Sequence, residues 1–297
     1  MSDVPRRDRP ARRLSGLERW LEEWAREEQA TAGRLRQYVS VVVVAGMLDR
    51  VRDDAGRHRF VVKGGASLEL RFGHRARASQ DLDTVFRGEL DEALTLVTEA
   101  VERGWEGLFS GRVVGLGRVD VPGLSVKPLR FKVKLAYLGK SFSTLPMEIS
   151  APEGRATDDY DTVAVRPLDP LGVRAPSEVP CLAVRYQIAQ KLHACTDPMD
   201  GDRVNDRARD LADLILIEEL AMHGSDLPEI RQACVEIFEG RERHPWPPAV
   251  QGFPGWEDLW ARLVEEQGFP LAGFDQAVAR VQALVDRIDA LGRPQSR

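Results

Sequence analysis

The sequence predicts an α+β protein with a strand-rich N-terminal half and a helical C-terminal half. Short apolar runs typical of strands are confined to residues 60–150, where turn residues separate them. Beyond Pro180, apolar residues recur at helical spacing in every long segment. Residues 151–178 contain several prolines and glycines, which is typical of a connecting segment.

The N-terminal half alternates between helical and extended patterns. Apolar residues from Leu17 to Trp24 recur at i, i+3, i+4 and i+7, which predicts an amphipathic helix. Gly139-Lys140-Ser141 predicts a hairpin turn. After the first helix we expect helices over 41–51, 66–72 and 91–102, a loop over 73–79, and strands over 60–63, 81–86, 112–116, 131–138 and 144–150.

The C-terminal half is predicted to be almost entirely helical. The expected helices cover 183–194, 207–220, 227–238, 256–267 and 274–291. We therefore predict a flexible basic arm over residues 1–15, an α+β lobe over 16–165 and a helical lobe over 166–297.

Composition restricts the class of protein. The 297 residues are 43% apolar and 30% charged, which excludes collagen, a coiled-coil rod and wholesale disorder. No apolar run approaches the ~18 residues of a membrane span, and the arginine-rich N-terminus does not resemble a signal peptide. We expect a cytoplasmic, soluble protein with no membrane partner. The formal net charge of −5 argues weakly against a nucleic-acid partner.

Asp81 and Asp83 flank Leu82 on a predicted strand. Alternate residues of a strand project from the same face, so the two carboxylates point together with Cα atoms roughly 6–7 Å apart. Divalent cations such as Mg²⁺ prefer oxygen ligands, and two-metal phosphoryl-transfer sites place their ions only ~3.5–4 Å apart. Two solvated acids on an exposed edge strand would give the same pattern.

Gly64, Gly65 and Glu148 extend the pattern around the two aspartates. The glycine pair lies between an apolar strand and a helix, so the first N–H groups of that helix could face a phosphate. A tight turn without a ligand is the simpler interpretation of the glycines alone. Glu148 alternates with apolar neighbours, so it either faces solvent or, if its strand lies beside the Asp81 strand, adds a third carboxylate.

These segments resemble the motifs of a known family. KGGASL over 63–68, followed by RARASQDLD over 75–83, is similar to the first motif of the AbiEii/AbiGii-type nucleotidyltransferase toxins. This family includes the MenT toxins and belongs to the DNA-polymerase-β-like nucleotidyltransferase superfamily, in which a later acid follows on a neighbouring strand. Glu148 falls where that acid is expected, after the strand predicted over 131–138. QKLHA over 190–194 and RARDLADL over 207–214 resemble two further motifs, so the resemblance spans roughly residues 60–220.

The resemblance implies a polymerase-β-like lobe with a small mixed sheet and a helical lobe that contributes to the active site. It implies Mg²⁺, with Mn²⁺ as a substitute, and a nucleoside triphosphate (NTP) as substrate. The implied residues are Asp81, Asp83 and Glu148 for the metal, Lys63, Gly64, Gly65, Ser67, Ser79 and Lys191 for the triphosphate, and Lys191 with Asp210 or Asp213 for completing the catalytic set.

Several of these roles have structural alternatives. Asp210 and Asp213 lie three residues apart on one helix face, so they either orient Lys191 or cap and salt-bridge their own helix. Ser79 either contacts a phosphate or is an ordinary loop serine. Basic residues gather near the acids, where they contact RNA phosphates, bind the triphosphate or screen the carboxylates. They are Arg75 and Arg77 before Asp81, and Lys132 and Lys134, which share one strand face with Arg130.

The resemblance also implies a toxin of a toxin–antitoxin system that transfers a nucleotide from an NTP to RNA. The implied acceptor is the 3′ end of tRNA, which would block translation, and the implied protein partner is a cognate antitoxin. One alternative is the same chemistry on a small molecule or a protein hydroxyl. The other is a non-catalytic antitoxin-binding or regulatory module, which the presence of Asp81, Asp83 and Glu148 disfavours.

Overall fold

The computed structural model describes residues 6–118, 126–198, 204–222, 227–267 and 273–291. Its contacts divide the chain into two compact units. Among the described residues, the first comprises 6–118, 126–152 and 160–182, and the second comprises 153–159 and the ranges from 183 onward. We predicted the division between the two lobes at 165/166. The structure has it at 182/183, because two strands that follow residue 159 belong to the sheet of the first unit.

Helices and a mixed sheet form the first unit. The helices are α1 (Leu14–Glu27), α2 (Ala32–Asp49), α3 (Gly64–Phe72) and α4 (Leu90–Arg103). The strands are β1 (Phe60–Lys63), β2 (Leu82–Phe86), β3 (Phe109–Arg118), β4 (Leu129–Tyr137), β5 (Lys140–Ser150), β6 (Tyr160–Ala164) and β7 (Glu178–Leu182). In the described residues they form one seven-stranded sheet of order β3-β4-β5-β2-β1-β7-β6. The predicted α+β class and mixed sheet are confirmed, although the sheet is larger than expected.

Strand β2 lies in the middle of this sheet. It pairs antiparallel with β1 and parallel with β5. Helices cover one face of the sheet. Alternate residues of β4 point to that face: Phe131, Val133 and Leu135 are buried, whereas the residues between them are exposed. Burial of alternate residues fixes the register of β4, since a shift by one residue would bury its lysines.

Two segments of the first unit differ from the prediction. The segment 151–178, predicted as a connection, contains β6 and the start of β7. The predicted flexible arm lies outside the described residues for 1–5, but residues 6–13 contact the folded unit. The backbone N–H of Arg7 donates to the carbonyl of Asp169, and the Tyr137 hydroxyl donates to the carbonyl of Ala11.

The second unit is helical, as predicted. It contains α5 (Val184–Thr196), α6 (Ala208–Ala221), α7 (Leu227–Arg241), α8 (Trp256–Gln267) and α9 (Phe274–Leu291). Helix α5 packs against α6 and α7, and α9 packs against α6, α7 and α8. Across the described ranges, no helix has the length and apolar character needed to cross a bilayer.

Candidate active site

A row of charged residues crosses four adjacent strands of the first unit. Lys63 on β1 is opposite Asp83 on β2, Asp83 is opposite Glu148 on β5, and Glu148 is opposite Arg130 on β4. Directly paired residues project from the same face of a sheet. The strand of Glu148 therefore lies beside the strand of Asp83, which was the condition on which the third carboxylate depended.

Asp81 lies at the entrance to β2, one residue before the strand begins. It is exposed, whereas Asp83 and Glu148 are half-buried. Carboxylate oxygens on neighbouring strands are the donor chemistry that Mg²⁺ prefers, so the residue types fit such an ion. Within the described residues, however, no three acidic, histidine or cysteine side chains converge closely enough to hold a metal. Glu148 Oε2 instead accepts a hydrogen bond of 2.8 Å from Arg130.

Gly64 begins α3 in close contact with Asp83. Its φ of +64° is a conformation that residues with a side chain rarely adopt, and a Cβ at this position would lie 2.7 Å from Asp83 Oδ2. Glycine is thus required both by the turn and by the neighbouring carboxylate. The N-cap residue Lys63 gives α3 no side-chain cap. The first N–H groups of the helix therefore have no side-chain cap from this residue and suit an anion.

Replacing Gly64 with alanine tests whether the close approach of Asp83 requires glycine at this position. We expect Gly64→Ala to lower the free energy of unfolding by about 1–2 kcal/mol because of the left-handed backbone. It should also lower nucleotidyl transfer by about a hundredfold, because the methyl group displaces Asp83. Thermal unfolding and initial transfer rates measure the two effects.

Gly56→Ala is the matched control. Gly56 has φ +76°, but a Cβ there would meet nothing within 4 Å. It should lose similar stability and keep its activity. Equal activity losses in both variants would contradict a specific contact between Gly64 and Asp83.

A hydrogen-bonded loop fixes the approach to Asp81. The Ser79 hydroxyl donates to the carbonyl oxygen of Asp81 at 2.9 Å, and the Ser79 N–H donates to Glu69 Oε2 at 3.0 Å. Arg34 donates to the carbonyl of Ala76 at 2.9 Å. Ser79 is itself 1% exposed. Its observed contacts therefore position the loop before β2.

Arg77 lies over the start of α3. A Cβ on Gly65 would lie 3.0 Å from both Arg77 Nη2 and Ser79 Oγ. The second glycine of the pair therefore allows the loop, and the guanidinium group that it carries, to approach the helix N-terminus. A guanidinium at this position adds a positive charge to a helix end that already favours anions.

Glu69 is a buried carboxylate on which this loop depends. Burial raises the pKa of Glu69, and the Ser79 N–H and the charges of Arg34 and Arg77 offset part of that rise. Its stabilising contribution is therefore fully present below the pKa it has in the unfolded chain, and is lost as pH rises through its higher folded-state pKa.

Glu69→Gln retains an acceptor for Ser79 but cannot ionise. The Tm of this variant relative to wild type is expected to increase as pH rises from about 4 to about 8, because only wild type has to bury the charge. Parallel melts across this range measure the difference. Glu99→Gln makes the same change at an exposed position of α4 and is the matched control. A Tm difference that varies with pH no more for Glu69→Gln than for Glu99→Gln would contradict the argument.

The remaining predicted residues of the first unit are Lys63, Ser67 and three basic residues, and they differ in exposure. Lys63, a member of the charged row, donates from Nζ to Ser150 Oγ at 2.8 Å. Ser67 is fully buried, and it shares a hydrogen bond with the Cys181 thiol. Because its hydroxyl is buried against Cys181, we leave Ser67 out of the triphosphate-binding residues proposed below. The exposed ones are Arg75, Lys132 and Lys134.

A buried ion cluster lies in the second unit. Lys191 Nζ on α5 donates to Asp210 Oδ1 and Asp213 Oδ2 on α6, both at 2.7 Å. The three side chains are 9%, 10% and 3% exposed, respectively. The sequence left open which aspartate contacts Lys191, and in the structure both do.

Two functional candidates were missed by sequence reasoning. Glu69 and Arg34 hold the loop before Asp81, yet neither belongs to a recognised motif. The available signal for Glu69 was its position between Leu68 and Leu70 in a helix that buries most of its residues. A charged residue on a buried helix needs partners, so that position already pointed to one.

The mixed sheet with carboxylates on adjacent strands and a glycine pair opening a helix defines a nucleotidyltransferase-type protein. The structure is similar to MenT4, a nucleotidyltransferase toxin from Mycobacterium tuberculosis H37Rv, with a TM-score of 0.54 and 20% identity over 93% of this chain and 99% of that chain. A family model described as "Nucleotidyl transferase AbiEii toxin, Type IV TA system" matches residues 47–280. The chain belongs to this family of toxins.

Two further solved structures resemble the chain more distantly. A putative nucleotidyltransferase from H. pylori has a TM-score of 0.46 and 16% identity over 88% of this chain and 97% of that chain. An antigenic nucleotidyltransferase-like protein from Paracoccidioides brasiliensis has a TM-score of 0.39 and 15% identity over 71% of this chain and 94% of that chain. No curated protein matches.

Proposed function

We propose that the protein transfers a nucleoside monophosphate from an NTP to the 3′ end of an RNA, with tRNA as the acceptor and Mg²⁺ or Mn²⁺ as the cofactor. The observation that carries the proposal is the pairing of Asp83 with Glu148 on adjacent parallel strands, beside a glycine that opens α3. Membership of a nucleotidyltransferase toxin family supports the reaction class.

The charged row would bind the metal, and the start of α3 would bind the triphosphate. Asp81, Asp83 and Glu148 would hold the metal, and Glu148 would first have to leave Arg130, whose side chain is 61% exposed and free to turn away. The N–H groups of Gly64 and Gly65, with Lys63 and Arg77, would hold the triphosphate, and Ser79 would position the loop that carries Arg77. When bound there, Mg²⁺ supplies positive charge that lowers the pKa of the acceptor hydroxyl and offsets the charge of the leaving group.

The transfer is an in-line displacement. The acceptor oxygen forms a bond to the α-phosphorus while the bond from that phosphorus to the pyrophosphate oxygen breaks. Pyrophosphate leaves with the electron pair, and the hydroxyl proton passes to solvent. The protein forms no covalent bond to the substrate in this reaction. It accelerates transfer by positioning the reactants and by stabilising the charge of the transition state.

Lys191 is the proposed contribution of the helical unit. Its two aspartates fix the ammonium group in one position, and an ammonium is a point charge suited to phosphate oxygens. We propose that Lys191 binds the triphosphate and that Asp210 and Asp213 are positioning residues. The same contacts also stabilise the second unit, so activity and stability must be measured separately.

The family also supports the proposed biological role. Membership of a family of type IV toxins supports a cognate antitoxin as the protein partner. Extension of the tRNA 3′ end would prevent aminoacylation and block translation, so we expect the protein to act in the cytoplasm.

The test is incubation of the purified protein with each α-labelled NTP, Mg²⁺ and total RNA. Label in the tRNA band that requires Mg²⁺, and that Asp81→Ala abolishes, supports the proposal. Asp54→Ala, which removes an exposed aspartate, should label normally. Label on protein or on a small molecule would contradict the RNA acceptor, and no NTP consumption with any acceptor would contradict the transfer itself.

A further inference from the structure

We propose that the open face of β3 and β4 binds the single-stranded 3′-terminal segment of the acceptor RNA. In this arrangement Arg130, Lys132 and Lys134 contact successive phosphates. Arg112 contacts the same phosphate as Lys134. The inference rests on the proposed function, and it specifies how the acceptor is held and how much of it is read.

The three basic residues of β4 form a straight track. They alternate with Phe131, Val133 and Leu135, which are buried against the helices, so all three basic side chains project from the opposite face and are exposed. Steps of two residues place them about 6.8 Å apart. Such a spacing is comparable to that of successive phosphates in an extended single strand, which basic grooves follow along the backbone.

The far end of the track carries a pair of like charges. Arg112 on β3 lies directly opposite Lys134 on β4. Like charges at paired positions destabilise a sheet by roughly 0.2–1 kcal/mol. Neither residue has an acidic partner among the residues that the structure describes. A structural role does not account for this repulsion, whereas a bound polyanion would relieve it.

The near end of the track joins the proposed metal site. Arg130 lies opposite Glu148 and donates to it at 2.8 Å. Lys134 is four residues farther along β4, or about 14 Å away. This length exceeds a triphosphate bound at α3 and fits about three nucleotides of an acceptor whose terminal hydroxyl lies at the carboxylates.

The experiment measures the affinity of RNA hairpins with 3′ overhangs of increasing length, by fluorescence anisotropy and over a range of salt concentrations. Wild type is expected to bind more tightly with each added nucleotide up to about three, and then to show no further gain. Lys132→Gln/Lys134→Gln should bind about tenfold more weakly near physiological salt, with a salt slope shallower by about 0.7 for each phosphate that is no longer neutralised.

The matched control is Arg26→Gln/Arg103→Gln, which removes two exposed arginines from α1 and α4. It should bind as wild type. Equal affinity and slope in the two double variants would overturn the inference, as would overhang-independent binding. The inference would also be overturned if polyglutamate displaced the bound hairpin and single-stranded RNA did not, since that result indicates an acidic protein partner.

A separate readout distinguishes this inference from the proposed function. Asp81→Ala should bind the hairpins as wild type does, while it transfers no nucleotide. Normal transfer by the lysine variant, at an unchanged RNA KM, would overturn the inference and leave the proposed function standing. Lysine-dependent RNA binding by a wild-type protein that transfers nothing to any RNA would overturn the proposed function instead, and the inference would fall with it.

Discussion

Asp83→Asn is expected to reduce nucleotidyl transfer about a thousandfold, the equivalent of about 4 kcal/mol of transition-state stabilisation. The amide has nearly the same shape as the carboxylate, so contacts with Gly64 and the pairing with Lys63 and Glu148 should persist. It has lost the negative charge and half of the acceptor oxygens that a divalent cation needs. Initial rates of label incorporation measure the loss, and circular dichroism melting checks that the fold is retained.

Asp54→Asn is the control for this variant, because it makes the same chemical change at an exposed aspartate outside the sheet. It should retain full activity. An Asp83→Asn protein that melts like wild type and still transfers at more than a tenth of the wild-type rate would contradict a metal-binding role for Asp83. A fall in Tm as large as that of a core substitution would indicate a structural role instead.

The sequence predicted the sheet best where one face is buried. On β4 the alternation of Phe131, Val133 and Leu135 with basic residues is strict, and the strand was predicted to within two residues at each end. The same alternation placed the basic side chains on one face. Which strands lie next to β4 depends on pairing across long stretches of chain, and only the structure provides that.

Strands β6 and β7 illustrate the opposite case. Both lie in or border the proline-rich segment that was predicted as a connection. Pro180 lies within β7, where it pairs with Thr162 of β6. Proline cannot donate to a sheet and therefore argues against a strand. Here it is accommodated near the edge of the sheet, in a context that local sequence does not reveal.

The charge balance of the whole chain was a poor guide to its partner. A net charge of −5 suggested no nucleic acid. The open side of β3 and β4 presents Arg112, Arg130, Lys132 and Lys134, and the carboxylate of Glu148 lies beside Arg130 on the next strand, β5. A charged ligand responds to the charge of the surface that it contacts rather than to the net charge of the whole chain.

Lys191→Met is expected to lower the free energy of unfolding by about 3–5 kcal/mol, because it leaves Asp210 and Asp213 as buried carboxylates without their lysine. Lys191→Met/Asp213→Leu should recover most of this loss, since an apolar pair replaces the buried charges of Lys191 and Asp213. The remaining Asp210 lies in the first turn of α6, where the helix N-terminus favours a negative charge. Urea denaturation of the single and double variants measures both values, and Lys140→Met, at an exposed lysine, should change stability by less than about 0.5 kcal/mol.

The double variant also separates the two roles of Lys191. If the lysine binds the triphosphate, the double variant should be stable but transfer nucleotide at least about a hundredfold more slowly, with the KM for NTP raised. If both stability and activity return, the ion cluster serves only to hold α5 against α6. A single variant with wild-type stability would contradict the buried ion cluster itself, since removing one partner of a buried ion pair is strongly destabilising.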